Sequence, residues 1–312
     1  MKTTFISAFA ALVCCLGCAP EKKETTTKGS LHALFAESTA PAMVDEVNQF
    51  LAIYEKTGAV ITYDVVSSEE AIRRMASDTI RYIITTRPMT AAEKQLLPKI
   101  EEWDLNELIV AYDAMAVVVH HKNPVEKMTT TELTKILSGE IRRWEQLSQA
   151  EGMKGAIELV YQDSSDVSML VNGRLLEGKA LRGNVLRSSS SLGTLRAVVE
   201  RPLSIGLAGI LWIDSARVPA KVLELAETRE VTDTTFRVPP ERIGKFSSPS
   251  YSANIYRTYY PLKRALYAYT YGPIASFASG FGTYVANKEG QRIFLNKNIV
   301  PATQPIRLKA PQ

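Results

Sequence analysis

The sequence predicts an α/β protein. Short β-favouring runs alternate with segments of helical hydrophobic periodicity along most of the 312 residues, and many of the helical segments open on Ser or Thr residues that can cap a helix. With 46% hydrophobic and 22% charged residues, the chain is long enough for one large or two medium domains. The same composition excludes a disordered or fibrous protein.

The N-terminal residues are typical of an export signal rather than of a folded element. Lys2 precedes an apolar run at residues 5–16, which is too short to span a bilayer as a mature helix. The run ends in Leu16-Gly17-Cys18, which resembles the lipobox of bacterial lipoproteins, where the chain is cleaved before a cysteine that becomes acylated. We therefore expect a signal peptide at residues 1–17, lipid attachment at Cys18 and a flexible tether at residues 18–28. The alternative is an ordinary signal peptide with incidental cysteines.

The first half of the remaining chain alternates strand and helix. After a β-favouring run at residues 31–35, the apolar positions Val44, Val47 and Phe50 fall on one helix face. The capping-box pattern marks three further helix starts, at Ser67 with Glu70, Thr90 with Glu93, and Thr129 with Glu132. The predicted order is strand 31–35, helix from 38, strand 60–66, helix 67–75, strand 82–86, helix from 90, a long apolar strand 107–119 and a helix from 129 to 139.

The second half continues the alternation less regularly. We predict a strand at 157–161, a helix from about 166 to 176, a helix at 192–200 that Pro202 ends, and a buried strand at 204–214. Residues 218–250 contain scattered prolines and charges and are predicted to be irregular. Residues 251–271 are rich in tyrosine and favour strand, and residues 274–298 are helical with Gly280, Gly282 and Gly290 as breaks.

The sequence lacks the patterns of the common catalytic sites. All three cysteines lie in the first eighteen residues, and the three histidines form no zinc-binding pattern. We interpret the His120-His121 pair as a strand-end feature. The sequence contains neither a nucleophile elbow nor a phosphate loop. The net charge of +4 is spread without long single-sign blocks, which argues against nucleic-acid binding. We therefore expect no enzyme activity, no metal and no cofactor.

Hydroxyl-rich turns recur where strands give way to helices. A helix N-terminus offers unpaired N–H groups and the positive end of the helix dipole, so several such turns that converge on one cleft would bind an oxyanion. Ordinary helix capping explains each turn taken singly. The turns are Ser38-Thr39, Ser67-Ser68, Thr85-Thr86-Arg87, Ser164-Ser165 and residues 188–191.

An ordered series of short motifs resembles the periplasmic phosphate-binding proteins of ABC importers, and in particular a lipoprotein branch of that family. The motifs are TRPMTAAE at 86–93, AYDAMA at 111–116, KNPV at 122–125, the stretch 133–144, SS at 164–165, IGL at 205–207, YPLKR at 260–264, EGQR at 289–292 and VPA at 300–302. The resemblance covers about residues 31–308. It implies a two-lobed binding protein of the second periplasmic class, with mixed sheets and a hinge of two crossing strands. Lobe one would comprise residues 29–112 and 256–312, and lobe two residues 113–255.

The resemblance also implies a phosphate-binding site. Carried over onto this chain, the ligand-binding residues are Ser38, Thr39, Ser68, Thr86, Arg87, Ser164 and Ser165. The chain departs from the family pattern, because Tyr161 stands where an arginine is usual and Asp166 follows Ser165. Arginine would neutralise phosphate bidentately, so we assign that role to Arg87. The alternative for Arg87 is a surface salt bridge, for example with Glu69.

The family uses an acidic residue to accept a hydrogen bond from protonated phosphate, and this acceptor excludes fully ionised sulfate. Glu69, Asp163 and Asp166 are the candidates for this acceptor. For Glu37 and Asp163, the alternative is a helix-end charge without a ligand role.

The function implied is that of an extracytoplasmic solute-binding lipoprotein. It would capture phosphate and deliver it to the permease of an ABC transporter, as a monomer anchored by lipid to a bacterial membrane, in the periplasm or at the cell surface. Two alternatives keep the same fold, namely a ligand-free envelope scaffold or sensor, and a binder of another oxyanion. A phosphatase is disfavoured because neither a metal cluster nor a nucleophile pattern is found in the sequence.

Overall fold

The computed structural model describes residues 24–77, 79–229 and 235–304, and the proposed signal peptide and Cys18 lie outside these residues. The described strands are β1 (Gly29–Ala36), β2 (Ala59–Val66), β3 (Tyr82–Thr85), β4 (Asp104–His120), β5 (Lys127–Thr129), β6 (Glu158–Gln162), β7 (Asn184–Ser188), β8 (Ser204–Gly209), β9 (Ala220–Val222), β10 (Glu224–Ala226), β11 (Lys263–Gly272) and β12 (Val300–Pro301). Most of the predicted strands are confirmed within a few residues.

The helices fill the intervals between these strands. They are α1 (Ala40–Tyr54), α2 (Ser68–Ser77), α3 (Ala91–Gln95), α4 (Thr130–Leu137), α5 (Asp166–Leu170), α6 (Ser191–Glu200), α7 (Ile210–Ala216), α8 (Ser252–Tyr256), α9 (Phe277–Ala286) and α10 (Lys288–Asn296). A 3-10 turn at Glu37–Thr39 precedes α1, and a π-helical turn at Val171–Leu176 extends α5. No helix among the described residues is both long enough and apolar enough to cross a bilayer. The alternation confirms the α/β class.

The main sheet is mixed and has two halves. Its strand order is β2-β1-β3-β11-β4-β8-β6-β7, and β12 and β9 also pair with β4. In the first half, β1 is parallel to β2 and β3, while β11 is antiparallel to β3 and β4. In the second half, β6 is parallel to β7 and β8. Strand β4 pairs with β11 up to Ala114 and with β8 from Met115, so it passes from one half to the other as the expected crossing strand does.

The sheet topology places the hydroxyl-rich turns. Strands β1, β2 and β3 are parallel neighbours, so their carboxyl ends lie at one edge, and the turns at Ser38, Ser68 and Thr86 follow directly. Strand β6 of the second half ends in the same way before Asp166, the first residue of α5. In open α/β sheets, ligands bind in the crevice outside the carboxyl ends of the strands.

Buried aromatic and aliphatic side chains hold the helices to both faces of the sheet. In the first half, Phe50 of α1 lies 5.7 Å from Phe277 and 5.3 Å from Phe281 of α9, between ring centroids, in edge-to-face contacts. In the second half, Trp144 is fully buried in a separate cluster, and its Nε1 donates a hydrogen bond to the carbonyl of Leu203 at 2.9 Å. The cluster around Phe50 extends across the sheet to Leu195 of α6, so one core spans both halves and the cluster around Trp144 adds a second.

Two of the predicted strands are longer than the strands in the structure, one at its C-terminal end and the other at its N-terminal end. The strand predicted at 204–214 ends at Gly209, where α7 begins, because a continuous apolar run does not distinguish a buried strand from a buried helix. Residues 251–271 begin with helix α8 and become strand only at Lys263. Tyrosine content favoured a strand there, and tertiary packing overrode that local preference.

The three C-terminal glycines are not helix breaks. Gly280 and Gly282 lie inside α9, Gly290 lies inside α10, and the two helices separate at Asn287. A side chain at Gly280 would overlap the backbone carbonyl of Thr26. At Gly282 a Cβ would lie only 2.9 Å from Oγ1 of Thr270 on β11. These glycines are therefore sites of close approach.

Residues 24–28, which the sequence assigned to the flexible tether, contact the folded body. Glu24 accepts two hydrogen bonds from the guanidinium of Arg81, at 2.9 and 2.8 Å, and one from the backbone N–H of Phe277 at 2.9 Å. These contacts hold the pKa of Glu24 below its ordinary value, mainly through the hydrogen bond from Arg81.

Candidate functional site

Three of the predicted site residues meet at the carboxyl edge of β1, β2 and β3. The hydroxyl of Ser68 accepts a hydrogen bond from the backbone N–H of Thr86 at 2.9 Å and lies 3.3 Å from the hydroxyl of Thr86. The hydroxyl of Ser38 and the backbone N–H of Ser68 reach the same acceptor, the carboxylate of Asp166. Ser38 and Ser68 are almost fully buried. The structure therefore brings Ser38, Ser68 and Thr86 together, which the sequence alone could not show.

Thr39 stands in the same 3-10 turn as Ser38 but uses its hydroxyl locally. Its Oγ1 donates to the carbonyl of Ala36 at 2.8 Å, and the residue is fully buried. Helix α2 opens beside this turn, where the hydroxyl of Ser67 accepts from the backbone N–H of Glu70 at 3.2 Å. The Ser67 hydroxyl therefore caps α2 as predicted, while the carboxylate of Glu70 pairs with Arg73 and does not complete the predicted capping box. The backbone N–H of Ser68, at the start of α2, donates to an anionic group instead.

Asp166 enters this group from the second half of the sheet. Its Oδ1 accepts from the backbone N–H of Ser68 at 3.0 Å, and its Oδ2 accepts from the hydroxyl of Ser38 at 3.4 Å. The side chain is only 5% exposed. Of the three acids considered from the sequence, Asp166 is the one that reaches the predicted site, since Glu69 is exposed and Asp163 pairs with Arg187.

The hydroxyl of Ser165 makes its hydrogen bonds within its own turn, directly before Asp166. Ser164 is exposed and adopts a left-handed φ of 49°. Ser165 caps α5, because its hydroxyl accepts from the backbone N–H of Ser168 at 3.2 Å and donates to the carbonyl of Gln162 at 2.7 Å. Their role in ligand binding stays a prediction.

Arg87 lines the cleft, but the two terminal nitrogens of its guanidinium already pair with a carboxylate. Its two terminal nitrogens donate to the carboxylate of Glu93 at 2.8 and 2.6 Å. These hydrogen bonds lower the pKa of Glu93 to about 2. The ion pair considered from the sequence involved Glu69, and the partner in the structure is instead Glu93. The Nε of Arg87 is buried and has no hydrogen-bond partner among the described residues.

Arg264 lines the cleft beside Thr86 and Arg87 but is not among the residues that the sequence predicts for the site. It lies on β11 and is only 4% exposed, and its Nε and Nη2 donate to one oxygen of Asp113 at 3.1 and 2.5 Å. Its Nη1 is buried without a partner in the described part of the chain. A Cβ at Gly209 would lie 3.0 Å from Nη2 of Arg264 and 3.2 Å from Cβ of Ser38, so these two side chains flank one glycine.

A sequence signal for Arg264 does exist. Lys263 and Arg264 are consecutive charged residues at the start of a strand in which every residue is buried. A buried arginine needs a charged or polar partner, so such a residue marks either an internal ion pair or a binding site. Burial raises the pKa of Asp113, and the charge of Arg264 opposes that rise.

A cavity of about 400 Å³ lies between the two halves of the sheet. Thr86, Arg87 and Arg264 line it from the first half, and Asp166 and Arg174 line it from the second. Arg174 donates from Nη1 to the carbonyl of Lys263 at 2.6 Å, and its guanidinium lies 5.2 Å from the ring centre of Phe236. Three guanidinium groups around one cavity favour an anionic ligand.

Glu37 occupies the N-terminus of another helix. Its two carboxylate oxygens accept from the backbone N–H and the hydroxyl of Ser191, the first residue of α6, at 2.9 and 2.7 Å. Burial raises the pKa of Glu37, and the hydrogen bonds from Ser191 oppose that rise. The carboxylate of Glu37 therefore lies at the N-terminus of α6.

Known proteins resemble this chain over most of its length. The sequence matches the family described as "PBP superfamily domain" over residues 20–289. It is 25% identical over 215 residues to "Protein SphX" of Synechococcus elongatus, covering 67% of this chain and 59% of that protein. It is 30% identical over 160 residues to "Phosphate-binding protein PstS" of Borreliella burgdorferi, covering 48% and 53%. The chain thus matches between half and three fifths of the length of these relatives.

Solved structures share the fold. A Clostridium perfringens protein with bound phosphate, named as a candidate substrate-binding protein of a phosphate ABC transporter, has a TM-score of 0.69 at 18% identity, over 88% of this chain and 100% of that one. An ABC-type phosphate transport receptor from Vibrio cholerae has a TM-score of 0.61 at 17% identity, over 88% and 100%. At this identity the likeness shows the fold, which is the two-lobed mixed α/β fold expected. The chain belongs to the PBP superfamily.

Proposed function

We propose that this chain is the substrate-binding protein of an ABC importer and that it captures phosphate in the cleft between its two halves. The observation that carries the proposal is the buried guanidinium of Arg264, whose Nη1 has no partner among the described residues and which borders the same cavity as Thr86 and Asp166. A buried N–H group without a partner is costly, and an oxyanion would satisfy it. The names of the PstS relative and of the two structural neighbours support phosphate as the ligand.

The remaining donors come from neutral groups of the first half. The backbone N–H of Ser68 belongs to the start of the ten-residue helix α2, where the helix dipole favours an anion. The hydroxyls of Ser38 and Thr86 lie beside it. Arg87 contributes the N–H of its Nε and the electrostatic attraction of its positive charge. Its two terminal nitrogens stay paired with Glu93. Arg264 takes the role that the family gives to an arginine at the position of Tyr161.

We further propose the lobe division that the resemblance implies, with residues 29–112 and 256–312 in lobe one and residues 113–255 in lobe two. The passage of β4 from one half of the sheet to the other between Ala114 and Met115 supports this boundary. Phosphate would contact both lobes, so that the loaded cleft presents one closed surface to a membrane permease. The protein itself catalyses no reaction in this proposal.

A second candidate is a scaffold or sensor that keeps the fold without a ligand. The position of Asp166 favours it, because a carboxylate already accepts from Ser38 and Ser68 where an oxyanion would bind. The two candidates differ in one property, which is saturable binding of an anion.

Calorimetric titration of the chain from residue 19 onward with phosphate, sulfate and arsenate separates them. We expect saturable one-to-one binding of phosphate and of arsenate, and affinity for sulfate at least about tenfold lower, because the relative and the structural neighbours named above bind or transport phosphate. Tighter binding of sulfate would identify another oxyanion as the ligand. Heat of dilution only, for all three anions, would contradict the proposal and favour the scaffold.

We also propose that the protein is extracytoplasmic and anchored by lipid at Cys18. The lipobox-like Leu16-Gly17-Cys18 supports the proposal. A Cys18→Ser variant should lose the lipid and leave the membrane fraction, because acylation needs the thiol. Cys15→Ser, upstream of the cleavage site, should stay lipidated and is the matched control. Mass spectrometry that finds an unmodified N-terminus in the unsubstituted protein would refute the anchor.

A further inference from the structure

We infer that Asp166 is a built-in competing anion, which holds the unliganded cleft shut from inside the phosphate site and leaves when phosphate enters. The inference rests on the proposed function for the identity of the incoming anion. The internal closure itself is carried by contacts within this chain.

The carboxylate of Asp166 occupies the position expected for an oxyanion. Its two oxygens accept from the backbone N–H of Ser68 at 3.0 Å and from the hydroxyl of Ser38 at 3.4 Å, and both donors belong to the first half of the sheet. Asp166 is the first residue of α5 in the second half and is only 5% exposed. A carboxylate resembles phosphate in presenting delocalised negative charge on oxygens that accept hydrogen bonds.

A second carboxylate crosses between the halves in the opposite direction. Glu37, in the turn after β1, accepts from the backbone N–H and the hydroxyl of Ser191 at the start of α6. Its own backbone carbonyl accepts from Nε1 of Trp212 on α7 at 3.0 Å. Each half of the sheet therefore places a carboxylate on the N-terminus of a ten-residue helix of the other half. We call Asp166 and Glu37 with these contacts the carboxylate clasp.

The two arms of the clasp differ in their relation to the ligand. Asp166 uses Ser38 and Ser68, which are donors of the proposed phosphate site, and borders the same cavity as Arg264. Phosphate and Asp166 therefore cannot use these donors together. Glu37 uses Ser191, which is outside that set, so its contact can persist when phosphate is bound.

Competition from an internal anion lowers the apparent affinity of the ligand. The apparent dissociation constant equals the intrinsic one divided by the fraction of molecules whose site is free. Removal of the Asp166 carboxylate should therefore strengthen phosphate binding. The contact between Glu37 and Ser191 is present both without and with bound phosphate. Removal of the Glu37 carboxylate therefore destabilises the unliganded and the liganded closed cleft alike, and its effect on phosphate affinity largely cancels.

The test uses full-length chains carrying Asp166→Ala, Glu37→Gln or both, with folding checked by circular dichroism. In calorimetric titration with inorganic phosphate, we expect Asp166→Ala to bind about tenfold or more tightly than the unsubstituted protein, and Glu37→Gln to stay within about threefold of it. Weaker binding by Asp166→Ala would overturn the inference, because it would make Asp166 an acceptor for the bound ligand rather than its competitor.

Small-angle scattering without phosphate tests the clasp independently of the ligand. The unliganded double variant should show a larger radius of gyration than the unsubstituted protein, because both carboxylates that join the halves are gone. Equal radii would overturn the inference even if phosphate binds. Absence of phosphate binding in every chain would refute the proposed function alone, and the scattering result would still decide whether the clasp exists.

Discussion

Arg264 is buried beside Ser38 and carries a positive charge into the cleft. Its Nε and Nη2 both donate to one carboxylate oxygen of Asp113, and its Nη1 has no partner among the described residues. Arg87 differs, because Glu93 already neutralises its fork. Ligand charge should therefore be balanced mainly by Arg264 and less by Arg87.

The first prediction compares these two arginines. The double variant Asp113→Asn with Arg264→Gln replaces both members of the buried Arg264–Asp113 ion pair by neutral amides, so neither charge is left without its partner. We expect this double variant to lose about 2 to 5 kcal/mol of phosphate binding free energy, which is roughly thirty-fold to several thousand-fold in affinity. Arg87→Ala should lose about 1 kcal/mol, in line with a screened and paired charge. Calorimetric titration that ranks Arg87→Ala as the larger loss would reverse the assignment.

The second prediction concerns Glu46, a buried acid of α1. Its side chain is fully buried, and neither carboxylate oxygen has a hydrogen-bond partner among the described residues. Burial raises its pKa to about 9, with a smaller contribution from the neighbouring charge of Asp45. The folded protein therefore holds a proton that the unfolded chain releases above its ordinary pKa of 4.5. Stability contributed by this proton is complete below that value and is lost as the pH rises towards 9.

A Glu46→Gln variant should remove this pH dependence. Relative to the variant, the unsubstituted protein should lose up to about 1.4 kcal/mol of unfolding free energy per pH unit across that window. Thermal melts from pH 4 to pH 8.5 measure the effect, and Glu101→Gln at an exposed position is the control. Parallel melting curves for Glu46→Gln and the unsubstituted protein across this range would show that Glu46 is ionised in the folded state.

The elements that the sequence predicted best are those with local signals. The capping boxes at Thr90 with Glu93 and Thr129 with Glu132 are confirmed, since each Thr hydroxyl accepts from the N3 backbone N–H and each Glu side chain reaches back. Helix α7 was missed because its first residues, Ile210 and Leu211, are as apolar as the strand before them. Its start is fixed by packing against other elements, including the hydrogen bond from Trp212 to Glu37.

The third prediction uses the close approach of α9 to the N-terminal segment. Gly280→Ala would drive a methyl group into the backbone carbonyl of Thr26, so helix or segment must move. We expect a loss of about 2 to 3 kcal/mol of unfolding free energy, typical of overpacking. Gly173→Ala is the matched control, because a Cβ there meets no atom within 4 Å and the residue has no left-handed φ. Chemical denaturation gives both values, and an unchanged midpoint for Gly280→Ala would mean that residues 24–28 do not pack on α9.

At the scale of the whole molecule, the site depends on pairings that no local pattern reveals. The turns at Ser38, Ser68 and Thr86 were recognised from the sequence, and the parallel order of β1, β2 and β3 brings them together. Arg264 joins them because β11 inserts antiparallel between β3 and β4, although it is distant from both in the sequence. Asp166 arrives from the opposite half of the sheet. Long-range strand order therefore determines which charged residues reach the cleft.

The fourth prediction follows from linkage between binding and folding. A ligand that binds only the folded state at about one hundred times its dissociation constant stabilises that state by about 2.7 kcal/mol. Phosphate at that excess should therefore raise the melting temperature by several degrees, and sulfate at the same ionic strength should not. Differential scanning calorimetry measures the shift. Equal shifts with the two anions would indicate a general salt effect rather than a phosphate site.

The most direct measurement is a crystal structure of the chain grown with phosphate. We predict one phosphate in the cleft, within hydrogen-bonding distance of the backbone N–H of Ser68, the hydroxyl of Ser38 and Nη1 of Arg264, with the carboxylate of Asp166 moved away from Ser38 and Ser68. A phosphate bound elsewhere, or a cleft in which Asp166 keeps its contacts to Ser38 and Ser68 at saturating phosphate, would contradict this prediction.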